Sequence, residues 1–232
     1  MPIHDLAGFL LTGVLSGLLA GLFGVGGGVI VVPALILLFE HLGLGGDWIP
    51  HLAVGSSLAA ILGTGAASAL AHHRRGGVRW DLVLVLAPGI VLGAGVGALV
   101  AGALPKLWLV RVFATFLVFV GLRMLVPPRA PRRRPLPGAG ALAAVGGGIG
   151  TLSALVGIGG GILTVPFLSG HGLGMRQAVG TSAACGLPIA LAGAIGFMLV
   201  GWGREGLPTG STGFVYWPAV GLILLASIPS AP

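Results

Sequence analysis

The chain has 232 residues, of which 56% are hydrophobic and 7% are charged. A soluble domain carries roughly 25% charged residues, so this composition excludes a water-exposed globular protein. Apolar stretches recur along the chain and reach the roughly 20 residues needed to cross a bilayer core. The formal net charge of +7 comes largely from arginines flanking these stretches, which indicates membrane topology and argues against nucleic-acid binding. The sequence therefore predicts an all-α polytopic protein of the cytoplasmic (inner) membrane.

Apolar segments follow one another along the chain, and two of them are interrupted by glycines. The interruptions are Gly24–Gly28 and Gly157–Gly161, and each is followed by a further apolar run. The proline- and arginine-rich segment Pro127–Pro137 predicts a linker. The predicted segments are Leu6–Phe39, Leu52–Ala71, Leu82–Leu104, Leu107–Val126, Ala139–Leu168, Gln177–Val200 and Phe214–Ile228.

The two halves of the chain resemble each other. "GVGGGVIVVP" from Gly24 matches "GIGGGILTVP" from Gly157, and "AVGSSLAA" from Ala53 matches "AVGTSAAC" from Ala178. Further on, Pro88 and Pro218 are expected to open corresponding helices. Internal repeats are typical of secondary transporters. We predict two homologous repeats of about four transmembrane segments each, over residues 1–126 and 138–232, joined by a linker over 127–137.

The second repeat ends about one helix earlier than the first. The stretch "LILLASIPSAP" closes inside an apolar segment, without a charged residue after it. We expect that the last helix is missing from this chain; a naturally shorter second half is the alternative.

Arginines in the loops at residues 72–80 and 127–137 predict that both loops lie on the cytoplasmic side. If each broken segment crosses the membrane once, Arg204 lies on that side as well, and Lys106 and Arg176 lie on the other. If the broken segments are instead re-entrant hairpins, the two repeats become inverted. Charge alone leaves both arrangements open.

The glycine breaks predict an anion site. Non-helical backbone at membrane depth is tolerated only where it is buried in protein or lines a wet cavity. The helix after each break begins with amides that lack intrahelical partners, at the positive end of its dipole, where glycine lets an anion approach. The alternative is a packing notch, which is our interpretation of isolated glycines such as Gly13, Gly93 and Gly97. The predicted substrate-binding residues are Gly24, Gly26, Gly27, Gly28, Ser56, Ser57, Gly157, Gly159, Gly160, Gly161, Thr181 and Ser182.

The serine and threonine residues in this set add hydroxyl donors for an oxyanion. Capping, or hydrogen bonding to the preceding helical turn, is the alternative role for each of them. The spans contain no Ser/His/Asp set and no paired carboxylates, and neither glycine run has P-loop spacing. We therefore predict no enzyme activity, no cofactor and no metal site, and we interpret Cys185 as a small packing residue.

Five stretches together resemble the TauE/SafE sulfite exporter family, which is also grouped with toluenesulfonate uptake permeases. They are "GLFGVGGGVIVVPALILL", "AVGSSLAAILGTGAASALAHHRRGGVRWDL", "PGIVLGAGVGALVAGALP", "LVGIGGGILTVPFL" and "AVGTSAACGLPIALAGAIGF". The resemblance covers nearly the whole chain. It implies seven or eight membrane spans made by duplication, and movement of sulfite, sulfonates or related organosulfur anions. This chain departs from that pattern by lacking the expected last helix.

The leading functional hypothesis is a secondary transporter that binds a small sulfur-containing anion between the paired half-helix ends. An anion channel and a non-transporting membrane scaffold are the alternatives. The expected partners are the small anion and the lipid bilayer, with H⁺ or Na⁺ as a coupling ion and a further copy of the chain in a homo-oligomer left open.

Overall fold

The computed structural model describes residues 3–23, 27–125 and 135–230 of the chain. This part of the chain is almost entirely helical, so the all-α prediction is confirmed. A short ribbon, β1 (Ser211–Thr212) and β2 (Val215–Tyr216), precedes the last helix. The helices are α1 (Ile3–Phe23), α2 (Gly28–His41), α3 (Ile49–Arg74), α4 (Trp80–Ala103), α5 (Lys106–Leu125), α6 (Ala139–Val156), α7 (Gly161–Gly170), α8 (Met175–Val200) and α9 (Trp217–Ser230).

Four of the described helices are long and apolar enough to cross a membrane: α3 with the 3-10 turn before it, α4, α6 and α8. The 26 residues of α3 and of α8 correspond to about 39 Å at 1.5 Å per residue. In contrast, α2 and α7 have only 14 and 10 residues. The two helices that follow the glycine breaks are therefore too short to cross a bilayer.

The chain turns back at the first break. Phe9 near the start of α1 lies beside Phe39 near the end of α2, with ring centroids 6.3 Å apart. A Cβ on Gly8 would likewise lie 2.7 Å from Leu38 Cδ2. Such contacts between the outer ends of two consecutive helices require them to run in opposite directions, so α1 and α2 form a helical hairpin.

The second break also reverses the chain. A Cβ on Gly160 would lie 3.5 Å from Ile149 Cγ2 and 3.3 Å from Ser153 Oγ, both in α6. Ile149 precedes Gly160 by three helical turns, a rise of about 16 Å if the helix continued onward. The close approach means that the second break folds back against α6 before α7 begins.

The two hairpins enter the bundle from opposite ends, and each returns to the end from which it entered. At one end, which we call the Trp48 end, Trp48 Nε1 donates to Glu205 O at 3.2 Å, and Arg204 Cζ lies 5.1 Å from the Trp48 ring centroid. The first hairpin leads into this end through the loop after His41. His51 Nε2 lies 3.1 Å from both Ala101 O and Leu104 O, which brings the start of α3 against the end of α4 there.

The other end, which we call the Arg79 end, holds the loop between α3 and α4. A Cβ on Gly77 in this loop would lie 3.4 Å from Arg176 O at the start of α8. If each broken segment crossed the membrane once, Arg204 would lie on the same side as the arginine-rich loop at residues 72–80, and Arg176 would lie on the other side. The structure reverses both positions, because each break turns the chain back.

Isolated glycines bring helices into backbone contact, as their interpretation as packing residues requires. A Cβ on Gly93 would collide with Gly147 O, and one on Gly97 would collide with Thr151 O, both in α6. A Cβ on Gly13 would lie 2.8 Å from Ala226 Cβ in α9. The packing interpretation of these three glycines is confirmed.

The matching of Pro88 with Pro218 is wrong. Pro218 is the second residue of α9, whereas Pro88 lies in the interior of α4, which already begins at Trp80. A proline inside a transmembrane helix is tolerated, since neighbouring groups satisfy the freed carbonyl. Proline therefore does not mark the start of α4.

Candidate functional site

The two glycine breaks meet in the middle of the bundle. A Cβ on Gly28 would collide with Gly157 O and lie 2.9 Å from Ile158 Cα. The same position is 3.1 Å from Ile61 Cδ1, and Ile61 lies halfway along α3. The start of α2 therefore touches the start of the second break, at mid-depth of a membrane-crossing helix.

Glycine is required in both breaks by the backbone conformation. Gly27 has φ 72°, and Gly157 and Gly160 each have φ 76°. Residues with a Cβ rarely adopt this left-handed region. Gly27 and Gly160 are the N-cap residues of α2 and α7, so the same device starts both helices.

The first amides of α2 and α7 are uncapped within the described structure. Gly27 O accepts from Ile30 and Val31, and Gly160 O accepts from Leu163 and Thr164, at 2.9–3.2 Å. Neither helix has a side-chain cap. The amides of the first two residues of each helix, at positions 28, 29, 161 and 162, have no backbone acceptor among the described residues. These donors and the helix dipole can stabilise negative charge.

Ser57 joins α3 to the second break. Its Oγ is buried and donates to Gly157 O at 2.9 Å. Ser182 is the residue that matches Ser57 in α8, and it is fully buried as well. Its Oγ has no hydrogen-bond partner in the described part of the chain.

Ser56 and Thr181 make contacts away from the breaks. Ser56 Oγ accepts from Tyr216 N at 2.9 Å, and Thr181 Oγ1 accepts from Arg79 N at 3.0 Å. These two hydrogen bonds fix the backbone of Tyr216 and Arg79, which immediately precede α9 and α4. Both hydroxyls lie in the interiors of α3 and α8, so they do not cap those helices. Their role as substrate ligands stays a prediction.

The remaining predicted glycines divide into two groups. Gly24 and Gly26 lie outside the described residues. Gly159 and Gly161 belong to the second break: Gly159 O would lie 2.9 Å from a Cβ on Gly186 of α8, and Gly161 is the first residue of α7. The structure therefore brings Gly28, Ser57 and the second break together.

Two buried hydroxyls near the second break were not among the predicted site residues. Ser153 of α6 and Thr164 of α7 are at most 1% exposed, and neither hydroxyl has a hydrogen-bond partner among the described residues. The repeat comparison selects residues present in both halves, and Ser153 and Thr164 match Ala20 and Val31 of the first half. The signal that could have identified them is a hydroxyl in the second half at a position where the first half has an apolar residue.

The family model for "Sulfite exporter TauE/SafE" matches residues 9–232 of the chain. A "Probable membrane transporter protein" of Haemophilus influenzae is 38% identical over 213 residues, covering 91% of this chain and 80% of that protein. The "Probable membrane transporter protein YdhB" of Bacillus subtilis is 26% identical, covering 81% of this chain and 77% of that protein. The "Probable membrane transporter protein YunE" of the same organism is 31% identical over 47% of this chain and 37% of its own length. No solved structure matches the chain significantly.

Proposed function

The chain belongs to the sulfite exporter TauE/SafE family of membrane transporters, and we propose that it is a secondary transporter of a small sulfur-containing anion. The substrate class is sulfite, a sulfonate or a related organosulfur oxyanion, moved across the cytoplasmic membrane. The observation that carries this proposal is the meeting of two left-handed glycine breaks at mid-depth, each starting a helix whose first amides are uncapped. An anion there is attracted to amides and helix dipoles without a cationic side chain in lipid.

We further propose that the two halves are inverted repeats. Glycines at matching positions of the two halves support this, because each member of a pair approaches a carbonyl oxygen at a matching position of a neighbouring segment. Gly13 and Gly146 face Ile223 O and Leu86 O, and Gly17 and Gly150 face Ser227 O and Ile90 O. Gly55 and Gly180 face Phe214 O and Gly77 O in the same way. The same contacts match Trp217, the first residue of α9, to Trp80, the first residue of α4. A helix of the second half that corresponds to α5 stays a prediction.

Alternating access follows from this arrangement. The first hairpin comes from the Trp48 end and the second from the Arg79 end, and among the described residues Gly28 and Val32 of the first contact Gly157 of the second. Movement of one hairpin and its neighbouring helices against the other would open the tips to one side at a time. H⁺ or Na⁺ as the coupling ion is part of the proposal and is addressed by the transport assay below. A homo-oligomeric state is a separate part of the proposal.

We expect the Arg79 end to face the cytoplasm, because it carries Arg74, Arg75, Arg79 and Arg176, and cytoplasmic loops are enriched in such charges. The test uses single cysteines in a Cys185→Ala background, labelled on intact cells with a membrane-impermeant maleimide. Arg204→Cys should be labelled and Arg176→Cys protected until the cells are permeabilised. Both positions are exposed in the structure.

Two positions serve as controls for this labelling. Asp47→Cys should be labelled and Arg75→Cys protected whether or not the broken segments cross the membrane. Labelling of Arg176→Cys with protection of Arg204→Cys is the pattern of single crossings, and it would contradict the hairpin topology.

The transport function is tested in proteoliposomes, by comparing sulfite, sulfoacetate, taurine and sulfate, with and without H⁺ or Na⁺ gradients. We expect saturable flux of at least one sulfur-containing anion that is absent from protein-free vesicles. No flux of any of these anions would contradict the proposal and favour a scaffold. Unitary conductance far above carrier turnover would instead indicate an anion channel.

A further inference from the structure

Three buried hydroxyls surround the start of α7. They belong to Ser153, Thr164 and Ser182, and none of these residues is more than 1% exposed. None of the three hydroxyls has a hydrogen-bond partner within the described residues. Leaving a buried polar group unpaired is costly, so native proteins keep few of them without a functional reason.

These hydroxyls also avoid the bond that helical hydroxyls commonly make. Thr12, Thr64 and Thr151 each donate to the carbonyl four residues earlier, at 2.8, 3.3 and 3.0 Å. Thr164 has Gly160 O at the same spacing but makes no such bond. The three unpaired hydroxyls therefore make no bond to their own helical turns. Less than 1 Å² of each oxygen is accessible, so a ligand reaches them only when the surrounding helices move apart.

Contacts place the three hydroxyls around the second break. Ser153 Oγ is 3.3 Å from the position of a Cβ on Gly160, the N-cap of α7. Thr164 lies one turn along α7, with its amide bonded to Gly160 O at 2.9 Å. Ser182 is on the face of α8 that carries Gly186 and Ile189, which contact Gly159 and Gly160. These contacts mark the point where the start of α7 crosses α8. From this crossing, α7 runs towards the end of the bundle where α8 begins. Thr164 on α7 and Ser182 on α8 therefore lie on the same side of the crossing, each about one helical turn from it.

An anion bound at this position would meet only uncharged hydrogen-bond donors. Among the described residues, the buried side chains with polar atoms are those of serines, threonines, Tyr216, Cys185 and His51, and His51 lies at the Trp48 end. The cost of transferring an ion from water rises with the square of its charge. A doubly charged anion therefore loses about four times as much hydration free energy as a singly charged anion of similar size, and it needs correspondingly more hydrogen-bond donors to replace it.

We propose that Ser153, Thr164 and Ser182, with the first amides of α7, form a site that selects a monovalent oxyanion, such as a sulfonate, over a divalent one, such as sulfate. The site rests on the proposed transport function, and it specifies both the substrate charge and the repeat that binds it. The matching positions of the first half, Ala20 and Val31, carry no hydroxyl. The binding site is therefore asymmetric although the fold is built from related halves.

Binding to the purified protein in detergent tests this proposal without a flux measurement. Methanesulfonate should raise the melting temperature saturably, and sulfate at equal ionic strength should bind at least about tenfold more weakly. Thr164→Val and Ser153→Ala should each raise the apparent Kd for methanesulfonate about tenfold, the effect of losing about 1.4 kcal/mol from a hydrogen bond to a charged group.

Thr64→Val is the matched control, because Thr64 is as deeply buried as Thr164 but donates within its own helix. It should leave the Kd unchanged. Without ligand, Thr164→Val should melt no lower than the wild type, since it removes an unpaired polar group; a purely structural role predicts a lower melting temperature. Unchanged affinity in both site variants, or equal binding of sulfate, overturns the proposal. If methanesulfonate does not bind while proteoliposomes transport another sulfur anion, this inference fails and the transport function stands.

Discussion

Gly28→Ala is expected to reduce anion flux in proteoliposomes at least about tenfold while the protein still folds. The added methyl group would collide with Gly157 O and approach Ile158 Cα to 2.9 Å. Both neighbours are backbone atoms, so the start of α2 must move away from the second break. Overpacking of this kind costs about 1–3 kcal/mol, and about 1.4 kcal/mol corresponds to a tenfold change. Because the displacement falls at the meeting point of the two hairpins, we expect transport to be affected more than overall stability.

Gly140→Ala provides the matched control for this substitution. Gly140 also lies in the first turn of a helix, α6, but a Cβ there has no neighbour within 4 Å among the described residues. It should transport at the wild-type rate. Gel filtration and thermal melting of both variants separate a transport defect from a folding defect. Full flux in Gly28→Ala would show that contact between the breaks is not needed for transport.

The position of the breaks could be predicted because the sequence itself interrupts apolar segments there. Three of the glycines, Gly27, Gly157 and Gly160, adopt the left-handed backbone that only glycine accepts readily. The direction of the chain after each break could not be predicted. A single crossing and a hairpin both leave the arginine-rich loops on one side, and only contacts such as Phe9 with Phe39 distinguish them.

The duplicated residues gave only part of the candidate site. Ser57 lies at the breaks as expected, whereas Ser56 and Thr181 bind backbone amides that precede α9 and α4. These two contacts are equivalent in the two halves, which indicates why a hydroxyl recurs at both positions. Residues that recur in the two halves of the sequence therefore include ones that hold neighbouring backbone in place, such as Ser56 and Thr181. The unpaired hydroxyls of Ser153 and Thr164 lie at positions where the two halves differ.

Gly93→Leu is expected to have the largest effect on stability, about 3 kcal/mol or more. Gly89, Gly93 and Gly97 form one face of α4, and a Cβ on each would collide with a backbone carbonyl of α6, at Ala143, Gly147 and Thr151. Without a hydrophobic effect between helices in lipid, such close packing is a main source of association. A leucine at the middle position separates the helices along the whole contact, beyond the usual overpacking cost of about 1–3 kcal/mol.

Gly95→Leu tests whether this loss comes from the contact or from any bulky residue in α4. Gly95 lies on another face of the same helix, where a Cβ has no neighbour within 4 Å among the described residues. Unfolding in mixed micelles, followed by tryptophan fluorescence, should show a folded fraction near that of wild type for Gly95→Leu and a strongly reduced one for Gly93→Leu. Equal stability of the two variants would contradict the α4–α6 contact. That result would also weaken the inverted-repeat proposal, because the α1–α9 contact at Gly13 and Gly17 is the counterpart of this one.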